Sequence, residues 1–306
     1  MNNTRSLSKK RRWNKDIASY HLMLLPGVIL LFVFATLPLF GIIMAFQNYV
    51  PARGFLGSRF VGLSHFRYMM VLPDITQVSL NTIIIAFYKI LFGILVPITF
   101  ALMLHEVRNK SFKSVVQTIT YMPYFLSWVI LGGIFVSMLS IDGVINLMIR
   151  AMGGEPIMFM ASNRWYRTIV IVTDVWKNFG YGAIVYLAAL TAIDAALYEA
   201  AAIDGANRWQ QLLHVTLPGL VPTIVLLTTL SLGNILNAGF DQVYNTYNPL
   251  VYRSGDIIDT YIYRMGLVDM QFSLGTAVGL LKSLISFLLI GLSYVLARRY
   301  SGYRIF

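Results

Sequence analysis

Apolar residues along this 306-residue chain fall in runs far longer than the elements of a soluble core require. Six stand out, at about 22–46, 79–104, 115–139, 168–192, 219–243 and 272–297. At 1.5 Å of rise per residue each can cross a hydrocarbon layer of roughly 30 Å, so the pattern predicts six transmembrane helices. Pro26, Pro38, Pro97, Pro123 and Pro222 fall inside them and predict kinks, which membrane helices tolerate when neighbours satisfy the freed carbonyls. Between the runs lie three polar excursions, 47–78, Asp142 to Arg167 and Tyr244 to Gln271, broken by residues such as Pro51, Gly54, Gly153, Gly154 and Pro156. In the first, Val61-Gly62-Leu63-Ser64-His65-Phe66 reads as the start of a short surface helix. The three together form the face best suited to an external partner. No excursion is large enough to fold alone, and no internal repeat is found, so 21–297 reads as one membrane domain between tails 1–20 and 298–306.

One connection differs from the rest. Asp194 to Pro218 is fairly polar and reads as two short helices. Asp194 can cap the first, where Ala195, Ala196, Ala200, Ala201 and Ala202 are strong helix formers. Gly205 is its natural stop, because it accepts a left-handed backbone. Trp209, Leu212, Leu213 and Val215 give the second an apolar side, which Leu217-Pro218 is expected to end.

The spacing Glu199-Ala200-Ala201, Asp204-Gly205-Ala206 and Leu217-Pro218 resembles the cytoplasmic EAA loop of ABC importer permeases; His214, Val215 and Thr216 fill the positions before the Leu-Pro pair less typically. The resemblance implies an all-α integral membrane fold, six transmembrane helices with a cytoplasmic coupling helix, like the transmembrane domain of type I ABC importers. It implies that Glu199, Ala200, Ala201, Asp204, Gly205, Ala206, Leu217 and Pro218 form a coupling loop, 194–218, docking in a groove of an ATP-hydrolysing subunit. Partners follow: a second homologous permease subunit, two ATP-binding subunits that carry ATP and Mg, and an extracytoplasmic solute-binding protein. The chain also resembles the maltose and glycerol-phosphate type of permease over nearly its full length. Its basic start, Pro26-Gly27 and the ending Tyr300-Ser301-Gly302-Tyr303-Arg304 look most like the polysaccharide and oligosaccharide branch.

Composition agrees with a membrane protein: 57% hydrophobic, 12% charged, with a mean hydropathy of +0.67. The net charge of +11 is mostly an orientation signal. Thirteen Lys and Arg fall on the side of both termini, eight on the other side, and Lys89, Lys177 and Lys282 within spans. This bias predicts cytoplasmic termini in a bacterial cytoplasmic membrane, and no nucleic-acid partner. The run Lys9-Lys10-Arg11-Arg12 starts like a signal peptide, but the apolar run after it is too long and lacks a small-residue cleavage site. An uncleaved first span follows, its basic tail lying on anionic lipid headgroups at about 1 kcal/mol per residue. With no cysteine and four scattered histidines, neither a disulfide framework nor a metal site is expected.

Charged groups inside a bilayer are costly and are functional candidates by default. Lys89, Lys177 and Lys282 each lie about ten residues from one end of their spans, roughly 15 Å deep, level with Trp128 and Asn234. Around them stand Tyr121 and Tyr124, then Asp174, Trp176, Asn178 and Tyr181, then Ser231, Asn234, Asn237 and Asp241. Amides and carboxylates suit sugar hydroxyls, while flat aromatics stack on the C–H faces of sugar rings. Asn234 and Asn237, three apart, are expected to share a helix face. The bland alternatives are that Asp174 and Lys177 neutralise each other and that the asparagines are packing glue, worth about 0.6 kcal/mol each. In the resembled family sugar sits at mid-membrane, which favours Tyr124, Asp174, Asn178, Tyr181, Ser231, Asn234 and Asn237 as contacts. Three ammonium groups lacking counter-charges would further suit an acidic saccharide.

The expected function is therefore a transport subunit for oligosaccharides, driven through its coupling helix. It has no Gly-rich phosphate loop ending in Lys-Ser/Thr and no paired carboxylates or activated nucleophile, so neither a nucleotide site of its own nor an enzyme is expected. Rival readings are an ion-coupled transporter using Asp174, Asp241 and the lysines, or an ABC permease for a non-sugar solute.

Overall fold

The structure, a computed structural model, describes residues 15–301, and the side chains of residues 18–295. The basic run at 9–12 and the closing Gly302-Tyr303-Arg304 lie outside the described residues.

Among these residues the fold is helical apart from one small hairpin. α1 (Ala18–Phe46), α3 (Pro73–Glu106), α9 (Arg208–Leu232) and α12 (Phe272–Ser301) are single helices long and apolar enough to cross a membrane. Counted as one span each, two bent pairs bring the total to six. α4 (Lys110–Tyr121) and α5 (Trp128–Met138) meet at 100°, and α7 (Tyr166–Thr191) meets α8 (Ala195–Ile203) at 65°. The short elements are α2 (Ser64–Val71), α6 (Val144–Ala151), α10 (Phe240–Thr246), α11 (Ile258–Tyr263), and strands β1 (Gln47–Asn48) and β2 (Arg59–Phe60), which pair antiparallel. α2 begins within the Val61–Phe66 piece expected to start a helix.

Two of the six spans depart from the expected continuous helices. The run 115–139 breaks around Ser127. Pro123 has no N–H to continue the ladder, so Met122–Phe125 tightens to a 3₁₀ turn, Leu126 is extended, and the Ser127 hydroxyl accepts from the Ile130 amide at 3.4 Å to open α5. The run 219–243 stops at Leu232. Gly233 to Gly239 is irregular, Gly239 has φ +92°, and α10 starts only afterwards. Asn234 and Asn237 therefore sit in a turn and share no helix face.

α3 and α7 pack along much of their lengths and organise the bundle. Ile85 and Ala86 join Tyr166 and Val170 in one buried apolar cluster, while Ala101 and Leu104 join Ala183, Tyr186, Leu187 and Leu190 in another. The stretches between the clusters carry Lys89 and Gly93 on α3, and Asp174, Lys177 and Asn178 on α7. A polar layer thus lies between two close-packed apolar ones, and packing rather than polar bonding holds the helices on either side of it.

The third excursion, 244–271, is buried in its middle while Leu250, Leu267, Val268 and Met270 stay exposed. Val251, Asp256, Ile257, Thr260 and Tyr261 are at most 2% exposed. Asn81 of α3 donates to the Asp256 carbonyl at 2.9 Å and accepts from the Arg167 guanidinium at 2.6 Å, while Arg167 Nε donates to the Ser254 carbonyl at 3.0 Å. Asp256 accepts from Thr260 at 2.7 Å and from Arg264 at 2.5 Å. Burial would lower the Arg264 pKa, but its Asp256 partner more than offsets this and raises it. Nearby, burial pushes the Tyr247 hydroxyl up to about 12. Buried backbone carbonyls and charges need partners, and this network supplies most of them, leaving Arg264 Nη1 without one among the described residues, so the segment folds down onto α3 and α7.

Candidate functional site

Lys89 and Asp174, from the two helices of the central pair, meet at 3.2 Å in the polar layer. Lys89 also donates to the Ala238 carbonyl at 2.8 Å and to the Gln242 side-chain oxygen. Gln242 in turn donates to the Val170 carbonyl and the Thr173 hydroxyl, both at 2.8 Å. The turn after α9 makes this approach possible. A Cβ on Gly239 would lie 2.9 Å from the Lys89 ammonium, and its φ of +92° already disfavours a side chain.

Beside the pair opens a cavity of about 270 Å³, lined by Lys89, Asp174, Ser231, Asn234, Asn237 and the small residues Ala86, Gly93 and Gly239, among others. It gathers four of the residues expected at a sugar site: Asp174, Ser231, Asn234 and Asn237. Ser231 donates to the Leu227 carbonyl and Asn234 weakly to that of Leu230, at 2.8 and 3.4 Å. Both line the cavity.

A second cluster lies further along α7. Residues 174, 177, 178 and 181 follow the i, i+3, i+4, i+7 spacing of one helix face. Tyr181 stacks on Tyr124 with centroids 3.8 Å apart and planes 4° apart. Lys177 is 7% exposed, donates to the Tyr124 carbonyl at 2.6 Å, and lies 5.2 and 5.8 Å from the ring centroids of Tyr124 and Trp128. The break before α5 creates this site, since it frees the Tyr124 carbonyl and turns Trp128 towards Lys177. Asn178 donates to the Asp174 carbonyl at 3.0 Å within its own helix.

Three candidates stand apart. Trp176 projects from another face of α7, edge-on to Phe135 at 5.6 Å, and lines an apolar groove of about 1020 Å³ on the other flank of the central pair. Asp241 is exposed in the first turn of α10 and lines no part of the polar cavity. Lys282 forms an ion pair with Asp259 of α11. The expected lack of counter-charges does not hold for two of the three lysines, because Lys89 and Lys282 each reach a carboxylate on another element. Asp174 does not neutralise Lys177 in an ion pair either; Lys89 takes that place. The sequence reading missed Gln242 and Gly239. A glycine two residues before an acid at the end of an apolar run was the available signal.

At the other end of α7, the 194–218 stretch is built largely as its sequence suggests. Asp194 accepts from the Ala196 amide at 2.9 Å, α8 runs to Ile203, and Gly205 takes φ +81°. Its second half does not end at Leu217-Pro218. Arg208–Leu232 is one helix of 25 residues, with a π-turn at Leu212–Thr216 just ahead of Pro218. The wider turn gives the proline ring room and leaves the missing N–H without consequence. A capping box opens this helix, Asn207 accepting from the Gln210 amide at 2.9 Å and Gln210 from the Asn207 amide at 2.8 Å. Asn207→Ala is expected to cost about 1 kcal/mol and to fray the first turn, read as faster amide exchange at 208–211.

Arg208 pairs with Glu106 at the end of α3 at 2.8 Å, and the Tyr198 hydroxyl meets that of Thr216 at 3.0 Å. Between these elements lies a cleft of about 1060 Å³. Glu199, Ala200, Ala202, Asp204 and Gly205 are exposed, as are Ile203 and Trp209 at 86% and 66%. Such a thin alanine surface with two bare apolar side chains can enter a partner's groove.

The chain matches the family model described as binding-protein-dependent transport system inner membrane component over residues 93–302. It is 41% identical over 281 residues to the polygalacturonan/rhamnogalacturonan transport system permease protein YteP of Bacillus subtilis (strain 168), which covers 92% of this chain and 88% of that protein. Its fold is similar to a solved bacterial ABC transporter involved in the import of the acidic polysaccharide alginate, with TM-score 0.85, 36% identity, and coverage of 94% of this chain and 97% of that one. A second solved structure, the bacterial alginate ABC transporter in complex with alginate pentasaccharide-bound periplasmic protein, is similar at TM-score 0.84 and 37% identity, covering 94% and 98%.

Proposed function

The chain belongs to the family of binding-protein-dependent transport system inner membrane components, and from that premise we propose that it is the permease subunit of an ATP-driven importer for acidic oligosaccharides. The observation that carries this reading is the pairing of two features in one chain: a polar cavity between close-packed apolar layers, and an exposed coupling stretch at the end of the same helices. Solved relatives import alginate and meet a sugar-loaded periplasmic protein. The same partner classes apply here: an extracytoplasmic binding protein, a second permease, and two ATP-binding subunits on which ATP and Mg sit.

The coupling stretch faces the cytoplasm, with both chain ends on that side. Closure of the ATP-binding subunits displaces α8. Because Arg208–Leu232 is one helix, a push at its first turn is carried about 35 Å at 1.5 Å per residue to Ser231 at the cavity. Rigid-body rocking of this kind exposes the cavity to alternate sides. Within it, Ser231, Asn234 and Asn237 suit sugar hydroxyls, and Tyr124 with Tyr181 offers an aromatic face. Asp174, held by Lys89, supplies an acceptor.

The acidic preference rests on Lys177. Among the described residues it forms no ion pair, donating to a carbonyl and facing two aromatic rings while Asp174 acts on it from a distance, so a uronate carboxylate would complete it. Lys177→Gln, tested in vesicles with the partner subunits, is expected to reduce uptake of acidic oligosaccharides about tenfold, the equivalent of about 1.4 kcal/mol, while neutral ones are little changed. Equal loss for both classes would remove the acidic preference from the proposal.

A further inference from the structure

The hairpin between the first two spans carries an unusual surface. Leu56 at its tip is fully exposed and Phe60 is 67% exposed, although the tip is rigidly built. Gln47 donates to the Phe55 carbonyl at 2.9 Å, and the Ser58 hydroxyl donates to that of Gly54 at 2.6 Å while accepting from the Val50 amide at 3.1 Å. A fixed loop that presents a bare leucine has a surface waiting to be covered.

Its level in the molecule is also fixed. Phe55 packs on Tyr49 at 5.3 Å, and Tyr49 lies edge-on to Phe272 at 6.1 Å and donates its amide to Ser273. Phe272 opens α12 and Phe46 closes α1, so the tip stands where two spans leave the apolar layer. From Gln47 to Leu72 the chain has three arginines, Arg53, Arg59 and Arg67, and no acidic residue. Among the described residues none of the three forms an ion pair.

We propose that this hairpin is an interfacial anchor: Leu56 and Phe60 dip among the acyl chains of the outer leaflet, and Arg53 and Arg59 bind the phosphates of its phospholipids. The leaflet follows from the orientation given under the proposed function. Apolar tips flanked by cations are the composition that binds at the headgroup boundary, and a cluster of unpaired arginines matches its anionic groups. A lipid surface is also present throughout a transport cycle.

The cysteine-free chain allows a clean test. Leu56→Cys, spin-labelled in the full transporter in phosphatidylethanolamine/phosphatidylglycerol vesicles, is measured for collision with oxygen, which concentrates in lipid, and with a water-soluble nickel chelate. The expected result is oxygen access exceeding nickel access, with the label shifted towards water by Arg53→Gln with Arg59→Gln. Nickel access exceeding oxygen access overturns the proposal, and shielding of that label only on adding binding protein would assign the tip to a protein partner. Transport in the same vesicles reads the permease function separately, so a failed anchor and a failed importer are distinguishable.

Discussion

Gly205→Val is expected to leave the protein inserted and assembled while uptake falls roughly ten- to hundredfold. No side chain opposes the new residue, since a Cβ at Gly205 meets nothing within 4 Å. The penalty is entirely in the backbone. Gly205 has φ +81°, and a β-branched residue there costs about 1–3 kcal/mol. The chain would escape by unwinding the end of α8, where the Gly205 and Ala206 amides return to the carbonyls of Ala202 and Ala201 at 3.1 and 2.9 Å. The turn that sets α8 against Arg208–Leu232 would then be lost, and ATP hydrolysis would continue without transport. Asn tolerates the left-handed region, so Gly205→Asn should keep most uptake. ATPase rate and sugar uptake, measured on the same vesicles, check both variants; equal uptake by the valine variant would refute the coupling geometry.

The second large effect is expected at Asp174. Its ion pair with Lys89 has side-chain exposures of 22% and 9%. Removing one member of a buried pair strands the other charge, at about 3–5 kcal/mol. Asp174→Asn should therefore lower thermal stability by that order and abolish uptake, because Lys89 would keep only the Ala238 carbonyl and Gln242. Replacing both, Lys89→Met with Asp174→Leu, should restore much of the stability, since an apolar pair removes the stranded charge. Uptake should stay lost, because the cavity would have lost its charged acceptor. Melting curves of the single and double variants separate these terms. Recovery of uptake by the double variant would assign the pair to folding alone.

The sequence made some of this legible because the signals are local. Asp194 as a cap and Gly205 as a stop depend on short-range backbone chemistry, and both are found as read. The six apolar runs are likewise local. What was not legible depends on partners far along the chain. Lys89 meets Asp174 and Gln242 across 85 and 153 positions, and periodicity carries no sign of which helices face each other. Helix continuity failed in both directions for the same reason: Pro123 and Ser127 interrupt a run of uniform hydropathy, whereas the π-turn at Leu212–Thr216 carries a helix past Pro218. Asn81, which satisfies carbonyls of the third excursion, was invisible as a hub because those carbonyls and the Arg167 guanidinium lie far along the chain from it.

The most direct measurement is uptake by this chain, purified with its chromosomal neighbours, in vesicles where ATP and the proton gradient are set independently. The importer reading predicts a complex with two ATP-binding subunits and a second permease, whose hydrolysis rises with loaded binding protein and whose uptake persists without a proton gradient. Uptake by the chain alone, without ATP and lost on collapse of the gradient, would contradict it.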